Sequence, residues 1–172
     1  MRLILSLSAL AATLAAATPA FAATQASAAG KAYGVVLEPL TLTNADDLDF
    51  GTVIGSATAG VVSVDADKAV GARSKTGGII LVNSFPGHRG LFQGAGTAGS
   101  AVILTLSQPL LLTSTNGIDT LGATLTLDSA GAIRTIDATS TFAVGVGGDF
   151  NIGANQPNGK YSADFTLTAD YQ

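Results

Sequence analysis

Cysteine and tryptophan are absent from the 172 residues, and the chain has one histidine, His88, and one glutamate, Glu38. The lack of thiols removes disulfides, thiolate nucleophiles and thiolate metal sites together, so stability has to come from an ordinary apolar core. A single histidine leaves little for acid–base or metal chemistry, and no cofactor is expected. Charge is also sparse, at 12% of residues, with eight basic against twelve acidic and a net charge of -4. A nucleic-acid partner needs clustered lysine and arginine, and that balance argues against one. Disorder is excluded by the same numbers, because 47% of the residues are apolar and few are charged.

What is present begins with an export segment. Residues 1–22 read as a cleaved secretory signal: Arg2 supplies the positive start, Leu3 to Leu14 the apolar stretch, and Ala20-Phe21-Ala22 a small-x-small cleavage site after Pro19. The stretch is shorter than the roughly 20 residues that span a bilayer, and no later run reaches about 18 uninterrupted apolar residues. The processed chain is therefore expected to begin at Ala23 with no transmembrane anchor, and to reside in the periplasm, at the cell surface or in a fimbrium. Residues 23–34 hold small and polar residues and read as a flexible extension, followed by one domain over 35–172.

Within that domain apolar residues recur at every second position, the period that puts one side of a strand in a core and the other in water. At the C-terminus Tyr161, Ala163, Phe165, Leu167, Ala169 and Tyr171 alternate with Ser162, Asp164, Thr166, Thr168, Asp170 and Gln172. Leu121 to Asp128 and Thr135 to Val146 follow the same rule. Further strands are expected over Val35 to Thr43, Leu48 to Ile54, Val61 to Asp65, Gly78 to Asn83, Arg89 to Gln93 and Ala101 to Ser107. Turn residues separate them, among them Pro86-Gly87, Asn116-Gly117 and Asn158-Gly159. A chain of eight or nine short strands, with a turn about every ten residues, indicates an all-β antiparallel sandwich or barrel.

Several fragments look chemical and are better explained otherwise. Gly94-Ala-Gly96-Thr-Ala-Gly99, with Asp119 beyond it, matches a dinucleotide-binding string, yet Ala101 to Leu106 continues it as a strand and not as the helix whose N-terminus would hold a pyrophosphate. Asp49-Phe50-Gly51 matches the kinase metal triplet by letters alone; a strand with Phe50 inward and Gly51 at a bulge or close approach accounts for it. Asp46, Asp47 and Asp49, and separately Asp65 and Asp67, lack the spacing of a calcium loop and read as turn formers. His88 sits in a Pro/Gly loop with no nucleophile or orienting acid implied, so no catalytic residue is assigned. Arg73, Lys75, His88 and Arg89 could form a weakly basic face for an acidic glycan, with Phe92, Tyr33 and Arg89 the residues to test.

Gly159, fourteenth from the end, and Tyr171, the penultimate residue, bracket the strongest alternation in the chain. This arrangement resembles the terminal pattern of pilins assembled by the chaperone–usher route. Pro39-Leu-Thr-Leu-Thr43, Asp47-Leu-Asp-Phe-Gly51, Val146-Gly-Gly148, Gly159-Lys-Tyr161-Ser162 and Ala169-Asp-Tyr171 extend the likeness to an uncharacterised family of secreted, pilin-like bacterial domains, related also to spore-coat-U-like proteins. The resemblance covers roughly residues 35–172. It implies an immunoglobulin-like β-sandwich in which the C-terminal strand edges a groove, filled by an extended segment of a neighbouring subunit. Gly159, Tyr161, Ala163, Phe165, Leu167, Ala169 and Tyr171 would form the assembly strand.

The donor implied by the same resemblance is the N-terminal extension, where Ala26, Ala28, Gly30 and Ala32 alternate. These side chains are small, and each buried CH₂ is worth only about 0.8 kcal/mol, so a donor further in, near Tyr33 to Leu37, is the other candidate. Implied partners are other copies or related subunits, a periplasmic assembly chaperone and an outer-membrane usher. The expected function is a non-catalytic structural subunit of a fimbria-like or other surface assembly, more in keeping with a shaft than a two-domain tip. A self-contained periplasmic or secreted β-sandwich binding module, with glycan as one candidate ligand, is the alternative.

Overall fold

The structure is a computed structural model that describes residues 25–69, 72–108 and 110–172; the expected secretory segment 1–22 lies outside them. The chain divides into the units Met1–Val35 and Val36–Gln172. In the first, residues 25–35 form no strand and are exposed throughout.

The second unit is all β among its described residues. Its strands are β1 (Thr41–Asp46), β2 (Val53–Ile54), β3 (Gly60–Val64), β4 (Arg73–Gly77), β5 (Ile80–Leu81), β6 (Gly90–Ala95), β7 (Ala101–Leu106), β8 (Leu110–Ser114), β9 (Thr120–Leu127), β10 (Ile133–Thr135), β11 (Thr141–Ile152), β12 (Tyr161–Ser162) and β13 (Leu167–Tyr171). Every ladder between them is antiparallel. The main sheet runs β1-β6-β11-β9-β8-β12, with β3 on β11 and β4 on β3, while β10-β7-β13 and β2-β5 form separate sheets. Among the described residues no helix is long and apolar enough to cross a membrane.

The long strand β11 organises the main sheet. Thr141–Val146 pair with β6, Val146–Phe150 with β9 and Gly148–Ile152 with β3. Its even-numbered residues Phe142, Val144, Val146, Phe150 and Ile152 are buried together with Val62, Ile79, Val102 and Ile136. Burying each such side chain fully is worth about 1.5–3 kcal/mol.

On the other face of β11, Gly145 and Gly147 are buried because the backbone leaving β3 lies directly over them. A Cβ at Gly145 would sit 2.1 Å from the Ala66 oxygen, and one at Gly147 would sit 2.3 Å from the Val64 oxygen. Only glycine permits that approach, which explains both glycines of Gly145-Val-Gly147 on a strand that otherwise favours branched residues. Arg89 holds the crossing segment from the side, donating to the Ala66 oxygen at 2.9 Å.

The strands depart from the sequence expectation at several places. Val35 to Thr43 begins as a strand only at Thr41, since Pro39 offers no N–H for a ladder. Leu48 to Ile54 reduces to a bridge between Asp49 and His88 followed by β2, because Gly51 adopts φ 72 and turns the chain. Thr135 to Val146 is broken by a turn in which Ser140 takes φ 62 and the Asp137 carboxylate accepts the N–H groups of Thr139 and Thr141. Strands β4 and β8 were not expected. The first is an exposed hairpin edge without large apolar residues, and in the second three successive leucines conceal an alternation that buries Leu110 and Leu112 and exposes Leu111.

Candidate assembly edge

The inward set of the C-terminal tail lies as its alternation requires. Leu167 is buried, Tyr161, Ala163, Phe165, Ala169 and Tyr171 are half-buried, and the residues between them are exposed. The tail is not one continuous strand, however. Tyr161 and Ser162 pair with Ser114 and Thr113 of β8 in the main sheet, whereas Leu167 to Tyr171 pair with β7 in the three-stranded sheet. Over Ala163 to Thr166 the chain changes sheets, and Phe165 packs edge-to-face on Phe92 of β6 at 5.8 Å between centroids. Phe92 is thereby part of the core and unavailable as a ligand-contacting residue. Gly159 lies outside the positive-φ range, and a Cβ there would meet Ser114 Oγ at an ordinary 3.6 Å.

Strand β13 has one free side, and the backbone parity on it follows from two hydrogen bonds. The Ser107 N–H donates to the Thr166 oxygen at 2.9 Å and the Gln172 N–H to the Ala101 oxygen at 3.0 Å. In an antiparallel ladder, residues that exchange hydrogen bonds alternate with residues that do not. Thr168 and Asp170 therefore direct their backbone groups at β7, and Leu167, Ala169 and Tyr171 direct theirs away from it. Among the described residues no strand pairs that outer side. An edge of this kind, with its side chains already facing a core, is a template for a further strand.

A segment of matching character is exposed near the N-terminus. Tyr33 is 87% accessible, Val35 85% and Val36 95%, and Leu37 remains 41% accessible. Ala26, Ala28, Gly30 and Ala32 are exposed too, without a large side chain among them. The chain is fixed again at Glu38, whose N–H donates to Thr97 Oγ1 at 2.6 Å and whose oxygen accepts the Tyr171 hydroxyl at 2.8 Å. Thr97 in turn donates its N–H to that hydroxyl at 2.8 Å. The sequence carried no signal for this cycle, because its members lie 59 and 133 positions apart.

The remaining candidates are occupied by structural work. Arg73 donates to the oxygens of Phe50, Thr52 and Val82, which turns its guanidinium inward, and Arg89 is engaged at Ala66, while Lys75 on β4 stays exposed. His88 and Arg89 line a shallow cavity of about 200 Å³ with Asp46, Ala69 and Leu91. Phe50 points inward and stacks on Phe150, and Gly51 is crowded by Arg73 and the Phe85 oxygen. The dinucleotide-like string falls on β6 and the loop to β7.

The acidic residues serve turns. Asp47 accepts Asn44 Nδ2, Asp49 accepts the Gly51 N–H, and Asp67 accepts the N–H and hydroxyl of Ser129. The Ser129 bonds hold the Asp67 carboxyl below its usual range, and the Asp67 N–H together with Lys68 does the same for Asp65. Among the described residues no group of three or more metal-ligating side chains converges.

Residues 40–171 match the model of a protein family described as a domain of unknown function, DUF4402. The chain belongs to that family. The DUF4402 span takes in all thirteen strands, the Arg73 knot and the free edge of β13, and it starts just after the exposed Tyr33–Leu37 segment. No curated protein and no solved structure matches the chain.

Proposed function

We propose that the protein is a non-catalytic, exported structural subunit of a fimbria-like or other surface assembly, joined to its neighbours by β-strand complementation. On this reading the domain is a pilin-like, immunoglobulin-type sandwich. The observation that carries the proposal is an unpaired strand edge lined by inward-facing side chains together with an exposed apolar segment. Strand β13 offers the backbone groups of Leu167, Ala169 and Tyr171 on an unpaired side, and Tyr33, Val35 and Leu37 supply alternating large apolar side chains, the first two almost fully exposed and Leu37 partly so. A strand added to an edge gains main-chain hydrogen bonds from its backbone and specificity from its alternate side chains. The Tyr33–Leu37 stretch is the stronger donor because it buries far more area than Ala26, Ala28, Gly30 and Ala32.

Both features are aggregation hazards in an isolated subunit, which supports a periplasmic chaperone and an outer-membrane usher as partners before assembly. Export itself rests on the signal-like character of residues 1–22.

The test is the size distribution of the protein purified from an exporting host. A ladder of multimers that survives mild detergent and collapses on boiling is expected. Joint substitution Tyr33→Asp, Val35→Asp and Leu37→Asp removes the ladder, and Ala28→Asp retains it. A well-folded monomer at every concentration, with the edge and the segment intact, would overturn the proposal in favour of a self-contained binding module.

A further inference from the structure

Glu38, Thr97 and Tyr171 form a closed cycle of three hydrogen bonds. The Glu38 N–H donates to Thr97 Oγ1 at 2.6 Å, the Thr97 N–H to the Tyr171 hydroxyl at 2.8 Å, and that hydroxyl to the Glu38 oxygen at 2.8 Å. The hydroxyl thus acts as donor and acceptor at once, and both backbone groups of Glu38 are held. Pro39 follows directly, which restricts Glu38 to extended conformations and makes the joint stiffer. Gly96 provides the space: a Cβ there would stand 2.3 Å from the Tyr171 hydroxyl and 2.9 Å from Ile136 Cδ1.

The position of Tyr171 gives this cycle a second meaning. Its ring packs against the core and its hydroxyl holds Glu38, while its own N–H and C=O point to the free side of β13. We infer that the cycle is a coupling device: pairing of a strand along β13 immobilises Tyr171, and Tyr171 passes that order to Glu38 and so to Val36 and Leu37. The inference rests on the assembly reading above and adds to it cooperativity between successive captures. A subunit whose edge is filled presents its own donor root in a more ordered state, so the next capture loses less conformational entropy. By linkage the effect is reciprocal, and order at Glu38 favours filling of β13. Tyr171 is here a positioning residue.

The test adds a synthetic peptide of residues 31–40 to the full chain and follows amide hydrogen exchange residue by residue. In the wild-type protein the peptide slows exchange at Leu167, Ala169 and Tyr171, and also slows Glu38 and Thr97 by about fivefold, the low end of ordinary coupling. In Tyr171→Phe, which keeps the ring, edge protection persists and the effect at Glu38 disappears. Thr97→Ala, which removes only the acceptor for the Glu38 N–H, behaves likewise at Glu38. Equal slowing at Glu38 in wild type and Tyr171→Phe overturns the coupling, as does edge protection with no change at Glu38. Absence of protection at Leu167, Ala169 and Tyr171 overturns strand uptake itself and the coupling with it.

Discussion

Arg73 Nη1 lies 2.9 Å from the carbonyl oxygen of Phe50, and the same guanidinium reaches the oxygens of Thr52 at 3.3 Å and Val82 at 3.0 Å. A planar fork of donors thereby closes the turn that Gly51 opens and ties β2 and β5 to the start of β4. Lysine carries its charge on one rotatable point and cannot hold three separated carbonyls. Arg73→Ala is expected to lower stability by about 2–3 kcal/mol, the cost of leaving such oxygens without a charged donor. Arg73→Lys should recover less than half of that in urea denaturation. Equal stability of all three proteins would show that water replaces the guanidinium without loss.

The glycines of β11 make a sharper contrast. At Gly147 a Cβ would meet the Val64 oxygen at 2.3 Å and the Ala66 nitrogen at 2.6 Å, while at Gly122 on the neighbouring strand it would meet nothing within 4 Å. Gly147→Ala is expected to cost about 3 kcal/mol, because backbone and not a flexible side chain must move. Gly122→Ala should fall within about 0.5 kcal/mol of wild type. Thermal unfolding of the two variants side by side checks both values.

Proline can test the backbone parity of β13. At Ala169 it removes an N–H that faces away from β7, whereas at Asp170 it removes one that faces β7, opposite Ile103. Proline is tolerated on edge strands only in the first situation. Ala169→Pro is expected to retain cooperative unfolding and lose multimers, and Asp170→Pro to lose stability as a monomer. Multimers unaffected by Ala169→Pro would place the acceptor elsewhere.

Acid sensitivity should centre on the turn before β11. Hydrogen bonds from the Thr139 hydroxyl and the Thr141 N–H lower the Asp137 carboxyl from 3.8 to about 2. A group whose folded pKa is depressed adds stability above its unfolded pKa and gives it up as pH falls through the folded value. Asp137→Ala is therefore expected to be less stable than wild type at neutral pH, with the difference closing between about pH 4 and pH 2. Unfolding midpoints across that range measure it, and a constant gap would mean that the carboxylate's charge is immaterial.

The legible part of the fold is the part carried by local periodicity. Alternation from Tyr161 to Gln172 gave the side of the chain that faces the core, and the Phe50-Gly51 pair was readable as an inward ring beside a close approach. Arg73 was not readable, because a basic residue on an exposed hairpin looks like solvent-facing charge until the carbonyls it serves are brought to it. The Glu38–Thr97–Tyr171 cycle was hidden for the same reason, and the exposed Tyr33–Val36 stretch looked like the beginning of a strand that in fact starts beyond Pro39.

The amino-acid sequence by itself determined that this is a β protein without thiol chemistry, and which residues of its tail turn inward. A two-residue period and a composition are properties of neighbouring positions, and the pleated backbone converts them into faces without reference to the rest of the chain. Tertiary structure alone decided that the tail leaves β8 for β7 between Ala163 and Thr166, that β13 keeps an unpaired side, and that the penultimate hydroxyl meets Glu38. Those outcomes depend on which distant segments share a hydrogen-bonding direction, and no local pattern encodes a partner that arrives from more than a hundred residues away.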